Sequence, residues 1–83
     1  MSSPKFTRAY VEAQITDIGG VRKLVIEEMP GDVTFVISIL EHWSVDAVIG
    51  AIVRRMTSLR PLGVRWTAHF YDCRGVHRSE VIS

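Results

Sequence analysis

Between Ser44 and Leu59 apolar residues recur at three- and four-residue spacing: Val45, Val48, Ile49, Ile52, Val53, Met56 and Leu59. That period places all of them on one stripe of a helix. Ser44 carries an N-capping hydroxyl, and Asp46 sits where the helix dipole is positive. Arg54 and Arg55 suit the opposite end, and Pro61 forbids continuation. A helix over 45–59 is predicted.

The remainder reads with a period of two. From Phe6 to Ile18, Ala9, Val11, Ala13 and Ile15 alternate with Tyr10, Glu12, Gln14 and Thr16, which predicts a half-buried strand. Gly19-Gly20 can supply the positive φ angles of a tight hairpin. That turn pairs Ile15 with Leu24, Ala13 with Ile26 and Asp17 with Arg22; it also opposes Glu12 to Glu27, an unfavourable pair. The second strand, Val21 to Met29, ends at Pro30-Gly31, a second turn signal. Counting outward from it sets Ile26 against Phe35 and Leu24 against Ile37, within a third strand from Val33 to Leu40. Residues 32–41 also admit a helix capped by Asp32, with Val33, Val36, Ile37 and Leu40 on one stripe. The run VTFVISI is rich in β-branched and aromatic residues and favours a strand.

After Leu62-Gly63, Val64, Trp66, Ala68 and Phe70 alternate with Arg65, Thr67, His69 and Tyr71, predicting a fourth strand. Asp72-Cys73-Arg74-Gly75 has the composition of a type I turn leading to a last strand, Val76 to Ile82. Its inward candidates Val76, Arg78, Glu80 and Ile82 are only half apolar, as in an edge strand protected by charge. The predicted fold is therefore α+β, in the order βββαββ: a five-stranded, mostly antiparallel sheet with one helix packed on one face. It forms a single domain over residues 1–83. A crossover through the helix is expected to lay strand four beside strand one, giving the order 5-4-1-2-3.

Composition narrows the class. The chain of 83 residues is 47% hydrophobic and 23% charged, which suits a folded domain. So short a chain has room for only a small core, and self-association is an expected further source of stability. No apolar run approaches the ~18 residues of a membrane helix, and MSSPKFTRAY lacks the apolar core of a secretion signal. The single cysteine, Cys73, has no partner for an internal disulfide. A cytoplasmic location without membrane contact is the expectation. A formal net charge of +1 gives no global pull toward nucleic acid. Charge is nevertheless uneven: residues 1–42 carry four Lys/Arg against six Asp/Glu, and residues 43–83 carry six against three.

Candidate chemistry is sparse. A hairpin closing around Cys73, Arg74 and Gly75 would put His69 and His77 diagonally on one face, but a zinc site needs further ligands. Neither Cys73 in the turn nor His42 before the helix has a reason to converge on them, so no metal ligands and no cofactor are assigned. Cys73 with His69 or His77 resembles a nucleophile–base pair, and Arg74 would lower the thiol pKa. With no oxyanion device or Gly-rich loop beside it, no catalytic residue is assigned, and the chain is expected not to be an enzyme.

Two interaction surfaces follow from the register. The first is the sheet face turned away from the helix, where Val25 lies beside Val36, Val21 beside Leu40, and Tyr10 pairs with Met29. One helix covers one side of a sheet, so these pairs form an open apolar patch. Ala47, Gly50 and Ala51 add a small-residue surface on the helix's outer side. The second is basic: Arg54, Arg55, Arg60, Arg65, Arg74 and Arg78 all fall in the second half, with Tyr71, His69 and His77 available for stacking on bases. The paired aromatics of RNA-binding sheets are absent. The expected function is a small non-enzymatic protein–protein interaction module of the inhibitor, adaptor or regulator type, binding a protein partner and assembling as a homodimer or higher oligomer. Nucleic-acid binding through the arginines is the alternative.

Overall fold

The computed structural model describes residues 8–61, 63–75 and 77–82. Its elements are α1 (Arg8–Thr16), β1 (Val21–Met29), β2 (Asp32–Ile39), α2 (Val45–Leu59), β3 (Arg65–Tyr71) and β4 (His77–Ile82). The four strands form one mixed sheet in the order β1-β2-β3-β4. The β1/β2 and β3/β4 pairs are antiparallel, and β2/β3 is parallel. A parallel pair cannot be closed by a hairpin; it needs a crossover, which α2 supplies. The class is α+β as expected, with two helices and four strands in place of one and five.

The first element departs from the predicted strand over 6–18, of which residues 6 and 7 lie outside the described residues. Residues 8–16 form a helix that buries only Val11 and Ile15, while Ala9 and Ala13 face solvent. The apparent alternation leaned on those two alanines, which are small enough for either environment and are strong helix formers. Without them the apolar residues are Val11, Ile15 and Ile18, spaced four and three apart as on a helix. Ile15 therefore pairs with no strand, and the like-charge opposition of Glu12 to Glu27 disappears.

Gly19-Gly20 joins α1 to β1 rather than two strands. Its role is close approach: a Cβ on Gly19 would lie 2.8 Å from Trp43 Cη2, and one on Gly20, at φ +98°, would lie 2.6 Å from Val48 Cγ2. Only glycines let the Trp43 indole and the start of α2 come down on this loop.

Both hairpins match the expected turns. Met29 pairs with Asp32 across Pro30-Gly31, and Gly31 has φ +73°, as position three of a type II turn requires. Leu24 pairs with Ile37, Val25 with Val36, and Ile26 with Phe35, so residues 32–39 are a strand and the helical alternative is excluded. A register shift between Val21 and Lys23 brings Val21 opposite Ile39, not Leu40. In the second hairpin the Gly75 N–H donates to Asp72 O at 3.0 Å, and the Arg74 N–H donates to Asp72 Oδ1 at 2.8 Å. Val76, expected to open the last strand, lies outside the described residues.

The strand order corrects the predicted 5-4-1-2-3. That arrangement needed a strand at the N-terminus for the fourth to join. With a helix there, β3 pairs directly with β2, placing Val33 beside Trp66, Phe35 beside Ala68 and Ile37 beside Phe70.

These residues, with Ile26, Ile39 and Ile82, form the inner face of the sheet, and Val11, Ile15, Val48, Ile49, Ile52 and Met56 pack onto it from the helices. Phe35 and Trp66 meet with ring centroids 4.7 Å apart and planes tilted by 55°. Polar links tie the helix layer together. Arg55 Nη1 donates to Gln14 O (3.2 Å) and Gln14 Oε1 (3.0 Å), joining α2 to α1, and Arg8 Nη2 donates to Ile26 O at 2.7 Å, joining α1 to β1. Among the described residues no helix is long and apolar enough to cross a membrane.

Candidate functional site

Both helices cover the same side of the sheet, so among the described residues no element covers the other side. Residues directly opposite on paired strands point the same way, and the register lays out the open face in rows. One row runs Val25, Val36, His69, Ser79; the next runs Glu27, Thr34, Thr67, Val81; on the other side lie Lys23, Ser38, Tyr71, His77. Met29, Asp32 and Arg65 close one end.

The centre of this surface is β-branched and uncharged. Val25 is 40% exposed beside a half-buried Val36, Val81 is 64% exposed and Met29 69%. Scattered exposed valines are ordinary on a protein surface. Here they share one flat face with Thr34 and Thr67 between them, while Glu27 and Lys23 stand at the β1 edge.

The six expected interface residues do not form one patch. Val25, Val36 and Met29 share the open face. Val21 packs against the core instead, because the register shift turns it inward. Leu40 has left the sheet and lies at its end, lining a shallow depression with Arg22, Ile39, Glu41, Trp43 and Cys73. Tyr10 is on α1, exposed on the helix side, and is not part of the sheet. Sequence reading missed Val81 and Trp43. The signal for Val81 was present in the alternation of the last strand. Nothing in the pattern marks Trp43, a residue 51% exposed whose ring is nonetheless close against Gly19 and Gly20.

The arginines are dispersed, and four of them have work inside the fold. Arg55 holds α1. Arg60 Nη1 donates to Val64 O at 2.9 Å and steadies the α2–β3 connection. Arg74 Nη2 lies 3.6 Å from Asp72 Oδ2 within its own turn. Arg78 reaches across to Asp46 in the first turn of α2. Arg54 is exposed on α2, and Arg65 stands at the start of β3. Arg65 begins the seven-residue β3 and Arg74 lies in the turn beyond its far end; the strand alone spans roughly 20 Å at about 3.3 Å per residue.

Cys73 is exposed in the β3–β4 turn, and the His42 side chain is in solvent before α2. Among the described residues, no three His, Cys, Asp or Glu side chains come together in a group able to hold a metal. His69 and His77 do meet diagonally on the open face, with ring centroids 5.1 Å apart, and the Tyr71 ring stacks on His77 at 4.7 Å with an interplanar angle of 8°.

The most coherent candidate surface is thus the open sheet face, with Val25, Val36 and Val81 set around Thr34 and Thr67, and His69, Tyr71 and His77 toward the β3–β4 hairpin. The chain matches no protein-family model, no curated protein sequence and no solved structure.

Proposed function

We propose that this chain is a non-enzymatic protein-interaction module that associates with a second copy of itself through the open sheet face. The observation that carries the reading is the placement of both helices on one side, which leaves Val25 and Val81 exposed and Val36 half-buried on the other, with Thr34 and Thr67 between them. A flat face of β-branched residues suits sheet-on-sheet packing, in which two such surfaces interdigitate about 10 Å apart. Apolar area removed from water contributes roughly 25 cal/mol per Å² before association costs, and a twofold axis is the simplest way for a face to meet its copy. The nucleic-acid alternative has less support, because the arginines lie on the helix layer and at both ends of the sheet rather than in one track.

The test is sedimentation equilibrium. A mass near twice 9.4 kDa is expected at micromolar concentration. Val36→Glu buries a charge in the centre of the contact and should return the protein to 9.4 kDa. Val25→Glu, at a more exposed position, gives the same reading if the first variant folds poorly. A wild-type chain that sediments as a monomer at hundreds of micromolar would overturn the proposal.

A further inference from the structure

Where β3 and β4 run side by side, three polar atoms converge on the open face. His69 Nδ1 lies 2.9 Å from His77 Nε2 and 2.9 Å from Ser79 Oγ, and Ser79 Oγ lies 3.0 Å from His77 Nε2. The register produces this triangle. His69 is opposite Ser79 and Tyr71 opposite His77, so His77 falls diagonally across from His69 on the same side.

Hydrogen bonds cannot account for all three edges. Each nitrogen of a neutral imidazole offers either one hydrogen or one lone pair, in the ring plane. Two ring nitrogens and one hydroxyl therefore sustain two full hydrogen bonds at most, the third edge being no better than a shared, bent one. An ion seated above the triangle satisfies the three donors together. With metal–nitrogen bonds of about 2.0–2.1 Å, neighbouring donors of an octahedron or square plane stand about 2.8–3.0 Å apart, and those of a tetrahedron about 3.3–3.4 Å. The observed edges match the first geometry. Tyr71, stacked on the His77 ring, holds that imidazole in place.

We propose that His69 Nδ1, His77 Nε2 and Ser79 Oγ form one triangular face of a binding site for a late first-row divalent metal ion. The remaining coordination positions point away from the sheet and are filled by water. Two neutral imidazoles and a hydroxyl, with no carboxylate in the set, select ions such as Ni²⁺ and Cu²⁺ over the hard cations Mg²⁺ and Ca²⁺. The diagonal histidine pair is legible in the sequence; the third donor, Ser79, appears only once the register of the hairpin is known. This inference does not depend on self-association.

The probe is Ni²⁺, chosen over Cu²⁺ because the exposed Cys73 thiol would be oxidised by copper. The full chain is titrated with nickel chloride at about pH 7.5, since metal binding to imidazole competes with protons. Calorimetry and histidine ring signals in NMR report the binding. One Ni²⁺ per chain is expected, with paramagnetic broadening centred on β3 and β4. Co²⁺ should bind more weakly and Mg²⁺ and Ca²⁺ not at all. His69→Ala and His77→Ala should each abolish saturable binding, and Ser79→Ala should weaken it several-fold. His42→Ala and Cys73→Ser should leave it unchanged. These positions are exposed or half-exposed, and a thermal melt of each variant confirms its fold; His69→Gln serves if His69→Ala does not fold. The same stoichiometry in Val25→Glu separates this site from the association surface. Absence of saturation up to about millimolar Ni²⁺, or binding that survives loss of both histidines, would overturn the proposal.

Discussion

A methyl group added at Gly20 would lie 2.6 Å from Val48 Cγ2 on a backbone at φ +98°, whereas one added at Gly50 would meet nothing closer than Arg54 Nη1 at 3.8 Å. The two glycines therefore do opposite things. Gly20 is required, by both its left-handed backbone and the seating of α2 and Trp43. Gly50 sits inside α2, where glycine costs about 1 kcal/mol relative to alanine. Gly50→Ala should raise stability by roughly 0.5–1 kcal/mol. Gly20→Ala should lower it by about 1–3 kcal/mol, since a strained φ and a displaced side chain act together. Urea titration of the two variants beside the parent measures both effects. If Gly50→Ala destabilised the isolated chain, the small-residue side of α2 would have a packing role within the monomer.

At the scale of elements, legibility tracks how many constraints agree. α2 was readable because stripe, cap, dipole and stop signal coincide: Ser44 Oγ accepts from the Ala47 N–H, and Val48, Ile49, Ile52 and Met56 are buried. The β1/β2 register was readable because Pro30-Gly31 fixes a two-residue turn and the facing residues are apolar on both strands. α1 was not, because its buried surface is two residues and the alanines between them fit either period. So thin an apolar stripe also means that α1 leans on polar ties. Arg55 to Gln14 is the tie to α2, partly buried and made by a charged donor, a type of bond worth about 1.5–3 kcal/mol. Arg55→Ala should destabilise by about that much and should speed amide exchange in α1 more than in the sheet. Gln14→Ala, which keeps the backbone acceptor, should cost less. Equal exchange changes in α1 and β2 would place α1 in the same cooperative unit as the core.

For the whole molecule, topology was the least legible property, and the candidate surface inherited the error. One misread element removed the partner for β3, and the strand order followed. The open face survived in part, since Val25 and Val36 depend only on the first hairpin. Val21, Leu40 and Tyr10 depended on a register or an element that the structure does not have. What persisted is a one-sided architecture: two helices on one face, and on the other a surface whose centre is β-branched. In a molecule this small, that imbalance has a measurable consequence. If two copies close over the open face, folding and association are linked, and stability depends on how much protein is present. Each tenfold rise in concentration then adds about 1.4 kcal/mol to the free energy of unfolding a dimer to two unfolded chains. Melting temperature should climb steadily from micromolar to hundreds of micromolar chain, and the climb should vanish in Val36→Glu and Val25→Glu. Gly50→Ala, which touches the helix side, should raise the whole curve without changing its slope. A wild-type melting temperature independent of concentration would mean that the monomer folds on its small core alone and that the open face is kept for a different protein.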